Sequence, residues 1–331
     1  MLEQAGPRTQ TGFHDAAIAF SYAWCMNLRQ LTYFVRVVEA GNITHAAESL
    51  YVAQSALSQQ MALLEDALGV QLLLRSAKGV QATNEGLLLY RHAQTILRQV
   101  ESTRSILART ASAVAGSVSI ALASSTARML ALPLMRAVKQ QYPAVVLEIV
   151  DIPSANLTQM VQQGRVDFSL SPDQEALANL TSTPLLVEEL LLLTHPSTPL
   201  PEGRIGIETL AQLPLVLPSA PNKLRTRLDH AFMQARLPCK LFAQASTAAI
   251  LVPAVCAGLA ATILPYSAAH VEIESGSIVL RHLEIAASRE ISLCVSRSMP
   301  VTPAVASVIE VVHSVVHALI EDGTWRYCRA A

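Results

Sequence analysis

The sequence predicts a mixed chain, α+β at its start and α/β in the remainder, with one long helix joining the two parts. Three observations carry this. Three short helical patterns between Leu28 and Leu68 lead into two short extended runs. A helical stripe then continues for roughly thirty residues from Thr83. From Ser117 onward, extended apolar runs alternate with helical ones as far as Ile320.

In the first helix Leu28, Leu31, Phe34, Val35 and Val38 share one face, and Gly41 ends it. Asn42 is placed to cap a short second helix, residues 43–50, where Ala46 and Ala47 permit close packing. A tight turn leads to a third helix, residues 54–68, buried through Leu57, Met61, Leu64 and Leu68 and stopped by Gly69. Extended runs at 71–75 and 80–82 flank a Lys78-Gly79 turn. Thr83 caps the long helix, expected to reach residue 113, with Leu87, Tyr90, Ile96, Leu97, Val100 and Leu107 as its stripe. A domain this small cannot cover so long a stripe, and a second copy of the same helix is the partner that fits.

Residues 114–116 mark a boundary. Beyond it strands are expected at 117–122, 145–150, 166–170, 186–194, 215–217, 241–245, 260–264 and 291–296. Helices are expected at 126–141, 155–163, 223–236, 248–257 and 303–320. This order implies two α/β subdomains with largely parallel sheets.

Composition narrows the function classes. Hydrophobic residues at 51% and charged residues at 15% of 331 residues supply ample core material and argue against global disorder. With 24 Lys and Arg against 25 Asp and Glu, the net charge of −1 gives no whole-chain signal for nucleic acid or membrane surfaces. Mean hydropathy is +0.36, and residues 241–271 carry no formal charge. Gln244, Ser246, Thr247, Pro253, Gly258 and Pro265 nevertheless punctuate that stretch as strand, short buried helix and strand rather than a membrane span. Residues 1–25 lack sustained periodicity and read as an extension, disordered or loosely attached, ahead of a natural start at Met26. His14, Asp15 and the lack of a basic start do not fit a signal peptide. Five cysteines, at 25, 239, 256, 294 and 328, are odd in number and form no C-x-x-C pair. Reduced thiols in the cytoplasm are the simplest account.

Three short helices and a hairpin have the layout of a winged helix-turn-helix, which presents the start of its third helix to the major groove. The exposed residues there are Gln54, Ser55, Ser58 and Gln59. Gln pairs bidentately with adenine, and Ser donates to or accepts from bases and phosphates. Arg29, Arg36, Arg75 and Lys78 are the nearby cations, Lys78 at the wing tip. Over residues 26–110 eight Lys or Arg face six Asp or Glu, an excess too small to argue from. On composition alone the same polar face also reads as an ordinary solvated helix surface.

Residues 26–90 resemble the N-terminal domain of LysR-type transcriptional regulators. The resemblance rests on F-x-x-V-x-E-x-G-x-x-T-x-A-A-x-x-L from Phe34, then AQSALSQQ-x-x-x-LE-x-x-LG-V-x-L from Ala53, then T-x-E-G from Thr83. It is weaker afterwards, where Gly164-Arg165-Val166-Asp167 and Gly258 to Pro265 echo the family. AQSALSQQ and LLRSAKGV look most like the nitrogen assimilation control branch. The resemblance implies a winged helix-turn-helix at 26–83, a dimerising linker helix at 84–115 and a periplasmic-binding-protein-like effector domain at 116–322. Its subdomain I would cover 117–190 and 290–322, and subdomain II 191–289. It also implies that Gln54, Ser55, Ser58 and Gln59 face bases and phosphates, that Arg75 and Lys78 belong to the wing, and that a homodimer, assembling to a homotetramer, binds an interrupted palindrome in double-stranded DNA. RNA polymerase is a further candidate partner; a membrane is not. Two residues depart from the family: many relatives have Ser at Ala53 and Arg at Gln59. The first departure removes a helix cap worth about 1 kcal/mol.

The family's effector lies between the two C-terminal subdomains. Ser124, Ser125 and Thr126 open a helix after one strand, and Ser246 and Thr247 do so after another. Such helix starts suit an organic acid or amino-acid-like ligand. Plain helix capping with no ligand is the competing reading, and some relatives work without a small effector. Arg128 is a candidate for a ligand carboxylate, or a surface residue. No G-x-S-x-G, P-loop or H-E-x-x-H motif appears, so no enzyme, catalytic residue or cofactor is expected. His313 and His317 lack a third ligand for a metal, and Asp229-His230 lacks a nucleophile. The alternative from another class is a small-molecule binding protein of periplasmic-receptor type with an incidental N-terminal interaction module.

Overall fold

The computed structural model describes residues 26–76, 79–107, 114–285 and 287–331. The expected extension at 1–25 and the wing-tip residue Lys78 lie outside them. The chain divides into one unit up to Val100 and another from Glu101.

In the first unit, α1 (Leu28–Ala40) opens on a reciprocal capping box. Asn27 accepts from the Gln30 amide at 2.9 Å, and Gln30 accepts from the Asn27 amide at 3.1 Å. Gly41 closes the helix in the left-handed region (φ 59°). Asn42 caps α2 (Ile43–Ser49) by accepting from Thr44 and His45 amides. The third helix, α3 (Gln54–Leu68), begins at Ala53 with no side-chain cap. The wing is β1 (Leu73–Ser76) paired antiparallel with β2 (Gly79–Ala82). Phe34, Val37, Ala46, Leu57, Met61, Leu64 and Leu72 form the shared core.

Two devices fix the wing. Glu65, on α3, accepts from the Leu72 and Leu73 amides at 2.8 and 2.9 Å, so the third helix itself holds the start of β1. At the same end α4 (Asn84–Leu107) approaches the residue before β1 so closely that a Cβ on Gly86 would lie 2.1 Å from the Leu72 carbonyl oxygen. Thr83 caps α4: its hydroxyl accepts from the Gly86 amide at 2.9 Å and donates to the Gln71 carbonyl at 2.8 Å. The expected end of this helix, residues 108–113, lies outside the described residues.

The second unit has two lobes. In lobe I, β3 (Gly116–Ala123) pairs in parallel with β4 (Val145–Ile152) and β5 (Phe168–Pro172), with α5 (Ser124–Gln141) and α6 (Ser154–Gln162) as crossovers. β6 (Leu180–Thr194) is a fifteen-residue strand shared by both lobes. Lobe II holds the short helix α7 (Ile207–Leu210), then β7 (Leu215–Pro218), α8 (Lys223–Ala235), β8 (Leu241–Ala245), α9 (Ala248–Cys256), β9 (Thr262–Pro265), α10 (His270–Glu274) and β10 (Val279–His282). The uncharged stretch 241–271 thus folds as strand, helix, strand and turn. β11 (Ser288–Ser296) returns to lobe I, and α11 (Pro303–Glu321) packs there through Val305, Val308, Val312 and Val316. By length and composition α11 is apolar enough to cross a membrane. Its apolarity is accounted for by that buried face.

The sheets are mixed, which corrects the expectation of largely parallel ones. Parallel pairing holds within each lobe, as in β3 with β4 and β7 with β8. A strand that crosses from the other lobe arrives running the opposite way. β11 therefore pairs antiparallel with β5 and β6, and β6 pairs antiparallel with β9 and β10. A short final strand, β12 (Cys328–Ala330), adds antiparallel to β6 at Leu186–Glu188.

Candidate functional site

The first candidate surface is the N-terminal half of α3. Its buried residues Leu57, Met61 and Leu64 turn the opposite face outward, leaving Gln54, Ser55 and Gln59 exposed. Arg75 on the wing donates to the Ser58 hydroxyl at 2.9 Å, so the helix and the wing present one polar surface. Arg29 is exposed with its guanidinium 6.0 Å from the ring centre of Tyr33, a contact within α1 rather than with α3. Arg36 pairs with Glu39 at 3.2 Å. Sequence reasoning passed over Tyr51, which is 96% exposed at positive φ just ahead of α3. An aromatic residue in the short turn between two helices was the available signal.

The second candidate is a cavity of about 400 Å³ between the lobes. Strand ends deliver helix starts to it: Ser124 and Ser125 after β3, Ser154 after β4, Asn222 and Lys223 after β7, Ser246 and Thr247 after β8. The helices starting at Ser124, Ser154 and Ala248 carry no side-chain cap, so their first amides remain donors for an anion. The structure brings Ser124, Ser125, Ser246 and Thr247 to the lining. Thr126 is not part of it; its side chain is fully buried and its hydroxyl has no hydrogen-bond partner. The Ser124 hydroxyl donates to Asp151 at 2.5 Å, and that of Ser125 accepts from Arg289 at 2.8 Å.

Arg128 does not face the cavity as a free cation. Its guanidinium donates to both oxygens of Glu272, on α10, at 2.5 and 2.7 Å, tying lobe I to lobe II. Further ties cross the cavity mouth: Lys223 to Glu175 at 2.8 Å, Arg227 to Asp173, and Asn222 to the Ser154 hydroxyl at 3.2 Å. Such partly exposed pairs are individually worth little, so they hold the lobes together without locking them.

Sequence reasoning missed Ser154, Asn222 and Arg289. The first two follow the rule that found Ser124 and Ser246, a polar residue at a strand-to-helix junction. Arg289 offered only a charge at the edge of an apolar strand. The thiols near this region are unreactive by environment: burial pushes Cys294 up, and burial followed by the Glu188 charge pushes Cys328 up to about 12. Among the described residues no cluster of three metal-ligating side chains occurs. His317 instead pairs with Glu321 at 3.1 Å, and Asp229 with Arg225 at 2.8 Å.

Residues 28–87 match the family of bacterial regulatory helix-turn-helix proteins of the lysR type, and residues 111–316 match the LysR substrate binding domain. The chain is 37% identical to the nitrogen assimilation regulatory protein nac of Escherichia coli over 245 residues, 74% of this chain and 80% of the relative. It is 36% identical to the nac protein of Klebsiella aerogenes over the same shares. Among solved structures it resembles a full-length OxyR variant from Pseudomonas aeruginosa (22% identity, TM-score 0.66, 88% of this chain and 95% of that one). It also resembles full-length CbnR in complex with its target DNA (23% identity, TM-score 0.66, 88% and 100%).

Proposed function

The chain belongs to the LysR family of transcriptional regulators, and from that membership we propose how its two candidate surfaces divide the work: residues 26–83 read DNA and the cavity in residues 116–322 receives an effector. It is a DNA-binding regulator, and the match at 28–87 removes the alternative in which the N-terminal module was incidental. The observation that carries the reading is the continuous surface of Gln54, Ser55, Ser58, Gln59 and Arg75. Gln and Ser read base edges, while Arg75 orients Ser58 and contacts phosphate. Arg29 is assigned a phosphate contact at the margin.

Two chains pair through the linker helix that begins at Asn84, dimers associate into tetramers, and the assembly binds an interrupted palindrome. The uncapped helix starts around the cavity, with Ser124, Ser125, Ser246 and Thr247, receive a small anionic effector. The nac proteins and other relatives are regulators, and we assign this chain no catalysis. Its location is the cytoplasm.

Mobility-shift titration at fixed salt, on DNA flanking the protein's own coding sequence, tests the reader. The Ser58→Ala/Gln59→Ala protein is expected to lose at least tenfold in specific affinity, since each lost base contact costs about 1–3 kcal/mol. Unchanged affinity with an unchanged fold sinks the assignment.

A further inference from the structure

The chain passages between the lobes converge on one buried carboxylate. Glu188, 1% exposed, lies where β6 crosses from lobe I to lobe II. Its Oε1 accepts from the Ser267 hydroxyl, just beyond β9, and from the Trp325 indole at 2.9 Å. Its Oε2 accepts from Arg289 Nε at 2.7 Å and lies 2.6 Å from Nη2. Arg289, 9% exposed, stands at the start of β11 and lines the cavity. Nη2 also donates to the Ser125 hydroxyl at 2.8 Å, at the uncapped start of α5. Among the described residues no hydrogen bond reaches Nη1.

These contacts have one chemical sense. A buried guanidinium is costly unless paired, and Glu188 supplies the pairing from behind. Ser267 and Trp325 fix the carboxylate, the carboxylate fixes the guanidinium plane, and a donor remains for the cavity. We propose that Arg289 is the specificity-determining residue of the cavity and selects small ligands bearing a carboxylate. That group takes up Nη1 together with the first amides of α5, while Glu188 stays as the resident counter-anion. Glu188 and Trp325 are positioning residues. Asp173 and Glu175 also line the cavity, which favours a ligand with one carboxylate at this end rather than a more highly charged group. A cavity of about 400 Å³ suits an acid the size of a single ring. The proposal rests on the cavity being an effector site.

Calorimetric titration of the full-length protein with benzoate, 2-oxoglutarate and benzamide, the uncharged match of benzoate, tests it. At least one carboxylate should bind the unaltered protein, with benzamide at least tenfold weaker than benzoate. Arg289→Gln should weaken carboxylate binding about 10- to 100-fold, the range of a charge-assisted hydrogen bond. That variant leaves Glu188 without its cation, so the Glu188→Gln/Arg289→Gln pair, neutral on both sides, serves where it fails to fold, and it should show the same loss. Trp325→Phe should weaken carboxylates a few-fold and leave benzamide unchanged, which loss of packing alone would not do. Undiminished carboxylate binding in the double variant overturns the proposal. Benzamide binding as well as benzoate overturns the role of Arg289 while leaving the cavity a ligand site. No binding of any of the three overturns both.

Discussion

The start of α3 and the starts of α5, α6 and α9 are alike in one respect and opposed in another. All four helices begin without a side-chain cap. Among the helices away from both surfaces, α1, α2 and α11 are closed by Asn27, Asn42 and Thr302, and α4 by Thr83, while the two short ones, α7 and α10, are uncapped. Of the helices longer than five residues, the uncapped ones are those that open onto the two candidate surfaces, where a free helix start suits an anion. The exception, α8, is capped by Asn222 and offers the cavity the side chains of Asn222 and Lys223 instead. Surroundings make the difference. The α3 surface is wet and carries little charge, so any binding there sums modest contacts. The cavity is backed by a dehydrated ion pair, where each group depends on its neighbours. Changes in the reader should stay local, and changes near Glu188 should spread.

The largest expected effect tests how dry the Glu188 region is. Burial first, and the Glu188 charge second, push the Cys328 thiol from 9.0 up to about 12. At pH 8 its thiolate fraction in the native protein should then be about a thousandfold lower than that of an unperturbed thiol. Alkylation by iodoacetamide should be negligible until the protein is unfolded. The folded thiol holds its proton more tightly than the unfolded one. The associated stability is thus intact below about pH 9 and is lost as pH rises toward 12. Native labelling of Cys328 at the rate of a free thiol removes the contrast between wet reader and dry cavity.

Next in size is Gly86→Ala. The added Cβ would lie 2.1 Å from the Leu72 carbonyl oxygen, a backbone atom that cannot turn aside. A loss of about 3 kcal/mol is expected in the unit up to Val100. Calorimetry should show that transition lowered and the transition of the larger unit unmoved. Glu65→Ala should act in the same unit with about 2 kcal/mol, because two strand amides lose a charged acceptor. Equal shifts in both transitions would show that the two regions do not respond separately.

Legibility in the sequence follows the same division. The reader is built from local patterns, so its three helices, the Gly41 and Gly69 stops and the Asn42 and Thr83 caps could be read from spacing alone. The α5 and α9 starts were legible for the same reason, as polar residues at strand-to-helix junctions. Strand direction was not, since periodicity is blind to the lobe from which β11 arrives. The Glu188 cluster was invisible because Ser125, Ser267, Arg289 and Trp325 meet there from distant parts of the chain. Trp325 and β12 lie past the last expected helix, where no pattern announces a strand that joins β6.

The smallest effect sharpens the comparison most. Ala53 has extended backbone at the head of α3 (φ −66°, ψ 137°), the geometry of a capping residue without the side chain to use it. In Ala53→Ser the hydroxyl can accept from the amide of Ser55 or Ala56, and the first unit should gain about 1 kcal/mol. No charge changes, so the salt dependence of DNA binding should keep its slope. Ala123 heads α5 with similar angles (φ −69°, ψ 144°), but it is buried and lines the cavity. There the same substitution crowds a packed site and competes for the amides that we propose receive the effector. Ala123→Ser should therefore bring no gain in stability and weaken carboxylate binding. Equal stabilisation at both positions, read from the two calorimetric transitions, would mean that missing caps are incidental to what each helix start binds.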